Sequence, residues 1–403
     1  MTRKLRVGVI GGGIGGLALT AALAQQGFDV RIFERTGSFG EVGAGIQVTP
    51  NAVKVLEAMG LGDALRKVAF LPQAIVGRNW DTAKEIFRIP LAEECPRLYN
   101  APFFHVHRAD LHHLLIDQVP AHAATLATAC VDVRQTGETA VARFEDGSEF
   151  EADLIVGADG VRSTVRSKLF GETAPGFTGN MCFRAVVPVE GDFDFVTPDS
   201  SFWLGPKSHV VTYYVRGGKA VNIVAVNETA DWVEESWNAP SSREELLAAF
   251  EGWHPNLIQL FERVESVFKW GLFDRDPMPA WSRGRITLLG DAAHPMLPFL
   301  SQGAAMSIED GYVLARSLTA HGSDVASALR DYEAERLPRT SRVQLESRER
   351  GRTYHLPTRF AQSKRDLIYQ FKSWLNPHAS GIQADWVYSY NATDFTPRVA
   401  AVA

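Results

Sequence analysis

Three stretches of this chain carry residues whose types and spacing can do chemistry, and each combines glycine with an acidic side chain. The first holds Gly11, Gly13 and Gly16 in G-x-G-x-x-G spacing, with Glu34 further on. In that spacing the first glycine permits a tight turn, the second lets backbone approach a pyrophosphate, and the third allows close helix–strand packing. Free N–H groups at the start of the next helix favour phosphate, and the acidic residue can accept from a ribose hydroxyl. The second stretch is Gly157-Ala158-Asp159-Gly160, followed by Arg162, Ser163 and Arg166. Ser163 could equally be only an N-cap, and the two arginines only solvated charges. The third is Gly290-Asp291, inside GRITLLGDAAHPMLP. An aspartate at the carboxyl end of a strand can hydrogen-bond a polyol, and the following helix points its positive end into the same crevice.

The elements that must position these residues are legible around them. Leu5 to Ile10 is a β-branched run that reads as a buried parallel strand, Leu17 to Gln26 as a helix ended by Gly27, and Val30 to Phe33 as a second strand. Strand, glycine turn, helix, strand and acidic residue arrive in the order a dinucleotide site requires, which an incidental glycine turn does not explain. Arg3, Lys4 and Arg6 before an apolar run imitate a secretory signal peptide, but the dense glycine argues against one, and a cytoplasmic protein is expected. A further glycine-dense loop, Gly37 to Gly45, leads to a helix opened by Pro50-Asn51. Strands are expected at Gln73 to Gly77, Glu85 to Ile89, Thr125 to Val133, Val141 to Phe144 and Leu154 to Val156, with Cys95 to Pro102 irregular. From Met181 to Phe273 the texture turns β-rich, with strands at Cys182–Val189, Ser201–Leu204, His209–Val215 and Ala220–Asn227 and helices at Arg243–Gly252 and Asn256–Val264. Arg285 to Leu289 then resumes the first pattern, and Gln302-Gly303 leads into an apolar helix over Ala304 to Leu318. A long helix over Val325 to Arg350 is expected to be interrupted at Pro338, and the tail to end in an aromatic extended piece that covers a core edge.

The expected fold class is α/β, a Rossmann-like nucleotide domain with an inserted antiparallel β-sheet domain and a C-terminal helical segment. Residues 1–72, 102–178 and 274–345 would form the first, 73–101 and 179–273 the second, and 346–403 the tail. The 403 residues carry a net charge of −6, which gives no reason to expect nucleic acid or an anionic membrane as partner. The three cysteines, Cys95, Cys130 and Cys182, form neither zinc spacing nor a disulfide framework. His105, His107, His112 and His113 lack the acidic or cysteine ligands that a usual metal site would add, so they read as structural. Arg108 stands at a strand–helix junction, where a guanidinium can grip phosphate bidentately or make only a surface ion pair.

Taken together, Gly11–Gly16 with Glu34, Asp159-Gly160 with Arg166, and Gly290-Asp291 resemble the single-component flavoprotein aromatic hydroxylases of the p-hydroxybenzoate hydroxylase fold. Closer similarity is to the salicylate, 3-hydroxybenzoate and 6-hydroxynicotinate hydroxylases, and it extends through FGEVGAGIQVTPN, HRADLH, WSRGR, SIED and DWVYSY. The resemblance implies bound FAD, reduced by NADH or NADPH, and a flavin C4a-hydroperoxide that hydroxylates a small phenolic or hydroxypyridine carboxylate, with or without decarboxylation. It assigns FAD contacts to Gly11, Gly13, Gly15, Gly16, Glu34, Arg35, Arg108, Cys130, Asp159, Asp291 and Gly303, with Cys130 acting through its backbone. It assigns catalytic and pocket roles to His209, Tyr213 and Gln47, and pocket positions to Pro295 and Phe299. His209 would be the base or proton relay, and on a strand it shares a face with Tyr213 four residues later. Ala293 and Phe299 stand where the 6-hydroxynicotinate enzymes have cysteine and histidine, which makes this pocket more apolar. The partners implied are the aromatic substrate, O2 and NAD(P)H, in a monomer or homodimer. The alternative is an FAD-dependent oxidoreductase of the same fold that inserts no oxygen.

Overall fold

The computed structural model describes residues 4–39, 43–229, 239–375 and 385–398. Residues 40–42 of the second glycine-dense loop therefore lie outside the described residues. Strand Arg6–Ile10, with Val7 and Val9 fully buried, is the centre of a five-stranded parallel sheet. Leu154–Gly157 and Asp29–Phe33 flank it, and Ile286–Leu288 and Ala124–Thr125 form the edges. Helix Ile14–Gln25 is apolar on every side because it lies between this sheet and helix Gly303–His321. The two helices meet backbone to backbone, since a side chain added at Gly311 would stand 2.8 Å from the Leu19 nitrogen. Three glycine-bearing turns thus emerge at the carboxyl ends of adjacent parallel strands, where the sheet topology opens a crevice.

The second large element is an eight-stranded sheet built from Ala74–Asn79, Glu85–Pro90 and six strands between residues 176 and 274. It is antiparallel except where Ser200–Gly205 pairs in parallel with Ala74–Asn79. One face packs on helices Arg243–Ala249 and Pro255–Glu262, burying Phe183, Phe250 and Phe261. The other face turns toward the parallel sheet and carries Cys182, Tyr213, Val224 and Leu272. This confirms an α/β fold with an antiparallel partner sheet and C-terminal helices.

Several local expectations need correction. Cys95 to Pro102 is not irregular: Glu94–Tyr99 is a short helix, because Pro96 falls in its first turn, where no intrahelical N–H is needed. Thr125 to Val133 is two strands in different sheets, Ala124–Thr125 and Cys130–Thr136, separated where Ala127 takes φ 51°. Gly45–Val48 is a strand that the glycine-dense texture concealed, and it pairs with Phe104–His107. Pro338 does not break its helix, which runs unbroken over Val325–Tyr354. Arg336 and Arg339, on either side of the proline, are both held to Glu309. The aromatic end of the chain is a short helix, Asp385–Tyr388, and it does cover the core, with Val387 and Tyr388 buried. No described helix is long and apolar enough to cross a membrane.

Candidate active site

The first glycine turn is held rigidly at Gly12. Its N–H donates to Glu34 Oε2 at 2.7 Å, and its carbonyl accepts from His112 Nε2 at 2.7 Å, which fixes that histidine as the Nε2–H tautomer. Gly11, at φ 111°, and Gly16 are required by packing, because added side chains would meet the Ala158 oxygen at 2.4 Å and the Gly11 oxygen at 2.0 Å. Gly13 is different. Its φ of −75° suits any residue, nothing lies within 4 Å of an added side chain, and no side chain caps the helix that starts beside it. Protein packing does not demand glycine there, so the open space suits a ligand that approaches the backbone and the helix N-terminus.

The second turn is braced internally. Asp159 accepts from Ser163 Oγ at 2.5 Å and from the Val165 N–H at 3.1 Å, while Ser163 caps the helix through the Arg166 N–H at 2.9 Å. Ser163 is thus an N-cap, whereas Arg166 is not the solvated charge that one reading expected: it is buried and donates to the Val161 and Ala292 carbonyls. The third turn rests on a buried ionic network. Asp310 Oδ2 accepts from the Gly290 N–H at 3.1 Å and faces His294 Nε2 at 2.5 Å, while Arg336 Nε donates to its Oδ1 at 2.8 Å. Glu309 is bound by Arg336, by Arg339 and by Asn51 Nδ2 at 2.6 Å. Against the opposing effect of burial, Arg336 and Arg339 hold the Glu309 carboxyl below the usual carboxylate range, and His294 and Arg336 do the same for Asp310. Asp291, freed from this network, opens into the crevice beside Arg108. Its side chain is accessible from the crevice, yet the enclosing protein desolvates and so raises its carboxyl, and His294 and Arg108 oppose that rise.

One cleft of about 390 Å³ joins the turns to the partner sheet. From the parallel side it is lined by Gly13, Gly15, Arg108, Gly160, Asp291 and Gly303, and from the antiparallel sheet by Cys182, Arg184, Phe202, His209, Val211, Tyr213 and Val224. His209, Val211 and Tyr213 alternate along strand Ser208–Val215, so the strand period aligns them on one face as expected. Gln47 and Phe299 also line the cleft, and Gln47 Nε2 donates to Ser200 Oγ at 2.9 Å. The wall is mainly apolar, with Trp270, Leu272, Leu297 and Phe299.

Not every expected residue reaches the cleft wall. Gly11 and Gly16 lie beneath it as packing positions, and Asp159 spends its carboxylate on the helix cap while Gly160 faces the cleft. Pro295 stands behind the wall with its carbonyl accepting from Gln344, and Met296 to Phe299 line the cleft in its place. Glu34 bonds Gly12 and Thr36, Arg35 is exposed, and Cys130 lies near the end of the second strand, beyond the cleft. The loop before Cys130 joins that strand through Thr128 N–H to the Glu34 carbonyl. Burial pushes the Cys130 thiol up to about 12, which fits a residue acting through its backbone. Two residues were missed. Arg184 lies on the same strand face as Cys182, stacks 5.2 Å from the Trp270 ring centroid, and has a buried Nε without a hydrogen-bond partner. An arginine within an otherwise apolar strand was its signal. His355 gave none: it closes a helix 146 residues from His209, yet its Nε2 lies 2.7 Å from His209 Nδ1. Burial lowers both imidazoles, His209 well below its ordinary value and His355 to about 4.

Comparison with known proteins agrees with this geometry. The family model described as FAD binding domain matches residues 4–347. The chain is 40% identical to the 3-amino-4-hydroxybenzoate 2-monooxygenase PtmB3 of Streptomyces platensis over 388 residues, 96% of each chain. It is 40% identical to the 6-hydroxynicotinate 3-monooxygenase of Pseudomonas fluorescens over 352 residues, 85% of this chain and 90% of that one. A solved salicylate hydroxylase substrate complex superposes with a TM-score of 0.81 at 29% identity, covering 98% of this chain and 97% of the other. The expected resemblance to flavoprotein aromatic hydroxylases holds, and its range widens to aminohydroxybenzoate enzymes. With a cradle that fits FAD and matches along nearly its whole length, the chain belongs to the FAD binding domain family, alongside these aromatic monooxygenases.

Proposed function

We propose that this chain uses FAD, NADH or NADPH, and O2 to hydroxylate a small aromatic carboxylate bearing a ring hydroxyl. The observation that carries the reading is the single cleft in which the Gly13 cradle and Asp291 meet the sheet face bearing Arg184, His209 and Tyr213. FAD supplies electron transfer and oxygen activation when bound; the chain supplies position, proton handling and exclusion of water. Gly13, Gly15, Asp291, Arg108 and Gly303 would hold FAD, with Glu34, Arg35 and the Cys130 backbone toward its adenosine end. Arg184 suits the substrate carboxylate, since its unpartnered Nε and fork geometry match a bidentate acceptor. Tyr213, whose hydroxyl burial pushes up to about 12, stays a neutral donor to the substrate. His209 stays neutral because it is buried, so its free ring nitrogen can accept the ring hydroxyl proton and make the ring more nucleophilic. Phe202, Leu272 and Phe299 keep water from the reacting atoms.

The test is oxygen uptake and product mass with 3-amino-4-hydroxybenzoate, 6-hydroxynicotinate and 3-hydroxybenzoate, each with NADH and NADPH. At least one should stimulate oxygen uptake and yield a product carrying an added ring hydroxyl. NAD(P)H oxidation that consumes no oxygen would contradict the reading. His209→Ala should retain FAD and divert turnover to hydrogen peroxide; unchanged coupling would remove His209 from its role.

A further inference from the structure

We propose that His355 is a proton-carrying residue of this site, taking the substrate's ring proton from His209 and passing it toward Glu228 at the surface. The proposal rests on the hydroxylase reading above. His209 Nδ1 and His355 Nε2 are 2.7 Å apart, and both rings are buried. His355 Nδ1 in turn lies 4.0 Å from Glu228 Oε1, whose side chain is 40% exposed, so a small turn of that flexible side chain closes the gap. With Nδ1 engaged, His209 has Nε2 left for a ligand in the cleft it lines.

The surroundings make onward transfer necessary. Phe299 packs on both imidazoles, with ring centroids at 5.5 Å and 5.8 Å, and Tyr354 lies 5.3 Å from His209. Among the described residues, His355 is the titratable group that acts on His209, and it brings no negative charge. Tyr354, beside it, is kept neutral by burial, with the Arg350 and Arg365 cations near it. An imidazolium formed at His209 would therefore be a buried cation without a counter-ion, which the apolar surroundings strongly disfavour. A neutral His355 removes that cost by carrying the proton on, and its low affinity for protons, about 4, keeps it neutral between turnovers.

The proton balance closes. The substrate O–H breaks as His209 Nε2–H forms; His209 Nδ1–H breaks as His355 Nε2–H forms. His355 Nδ1–H then breaks, and its proton goes to the Glu228 carboxylate and on to water. No electrons change hands; the substrate is left as its phenolate in the cleft.

Stopped-flow mixing of the FAD-loaded protein with the three aromatic probes above, in weak buffer with a pH indicator, reads proton release directly. His355→Gln keeps a hydrogen bond to His209 but passes no proton through. It should slow release and hydroxylation by about tenfold or more while substrate affinity stays within about twofold, with partial rescue by added imidazole. Glu228→Gln, at an exposed position, should slow release in dilute buffer and recover as buffer is raised. Release and pH profile unchanged in His355→Gln would overturn the relay. If that variant does not fold, release unchanged in Glu228→Gln at every buffer concentration overturns it instead. Should the unmodified chain turn over none of the probes, the hydroxylase reading itself fails, and the relay with it.

Discussion

Gly13 and Gly16 belong to one sequence motif, yet their environments separate ligand binding from folding, and paired substitutions should show it. A methyl at Gly16 would stand 2.0 Å from the Gly11 carbonyl oxygen, in a turn whose backbone is fixed by Glu34 and His112. Overpacking against rigid backbone costs about 1–3 kcal/mol or more, so Gly16→Ala should unfold at clearly lower urea with or without FAD. At Gly13 nothing lies within 4 Å and φ is −75°, so alanine there costs under about 1 kcal/mol as a poorer N-cap. Its methyl instead occupies the path by which phosphate reaches the helix N–H groups. Losing one charge-assisted hydrogen bond is worth about 1.5–3 kcal/mol, or roughly tenfold to a hundredfold in FAD affinity. The assay is urea unfolding of the FAD-free proteins together with flavin fluorescence titration. Unchanged FAD affinity in Gly13→Ala, or a Gly16→Ala protein as stable as its parent, would refute the reasoning.

Three further outcomes follow from the buried groups. Glu309→Ala leaves Arg336 and Arg339 buried without their shared carboxylate and should cost about 3–5 kcal/mol in urea unfolding; a loss under about 1 kcal/mol would show that the network does not hold the Asp291 turn. His355 binds its proton near 4 when folded and near 6.5 when unfolded, so stability present above pH 6.5 is lost as pH falls toward 4, by about 3 kcal/mol from this residue. His105, lowered by burial to about 3, acts in the same direction, and an unfolding midpoint independent of pH across that window would contradict both assignments. Burial pushes the Cys95, Cys130 and Cys182 thiols up to about 12, so a thiol reagent at pH 8 should modify them only after denaturant is added.

Much of this was legible in the chain because it is written in local pattern. Strand Arg6–Ile10, its glycine turn and helix Ile14–Gln25 follow from adjacent residues, and the face shared by His209 and Tyr213 follows from strand period. Contacts between distant segments were not legible. Arg166 reads as a solvated charge until the Ala292 carbonyl, from a turn far along the chain, is found to accept from it in the core. Pro338 reads as a break until tertiary ion pairs straddle it. His355 meets His209 only because the long helix returns to the sheet.

In the proposed reaction the FAD cradle and the His209 wall form one hydroxylating site. The measurement that tests it most directly is mass analysis of product formed under isotopically labelled dioxygen with the aromatic probe that most stimulates oxygen uptake. The expected result is one labelled oxygen atom in the ring hydroxyl for each NAD(P)H consumed. Label appearing only in hydrogen peroxide or water, with the aromatic ring unchanged, would contradict it.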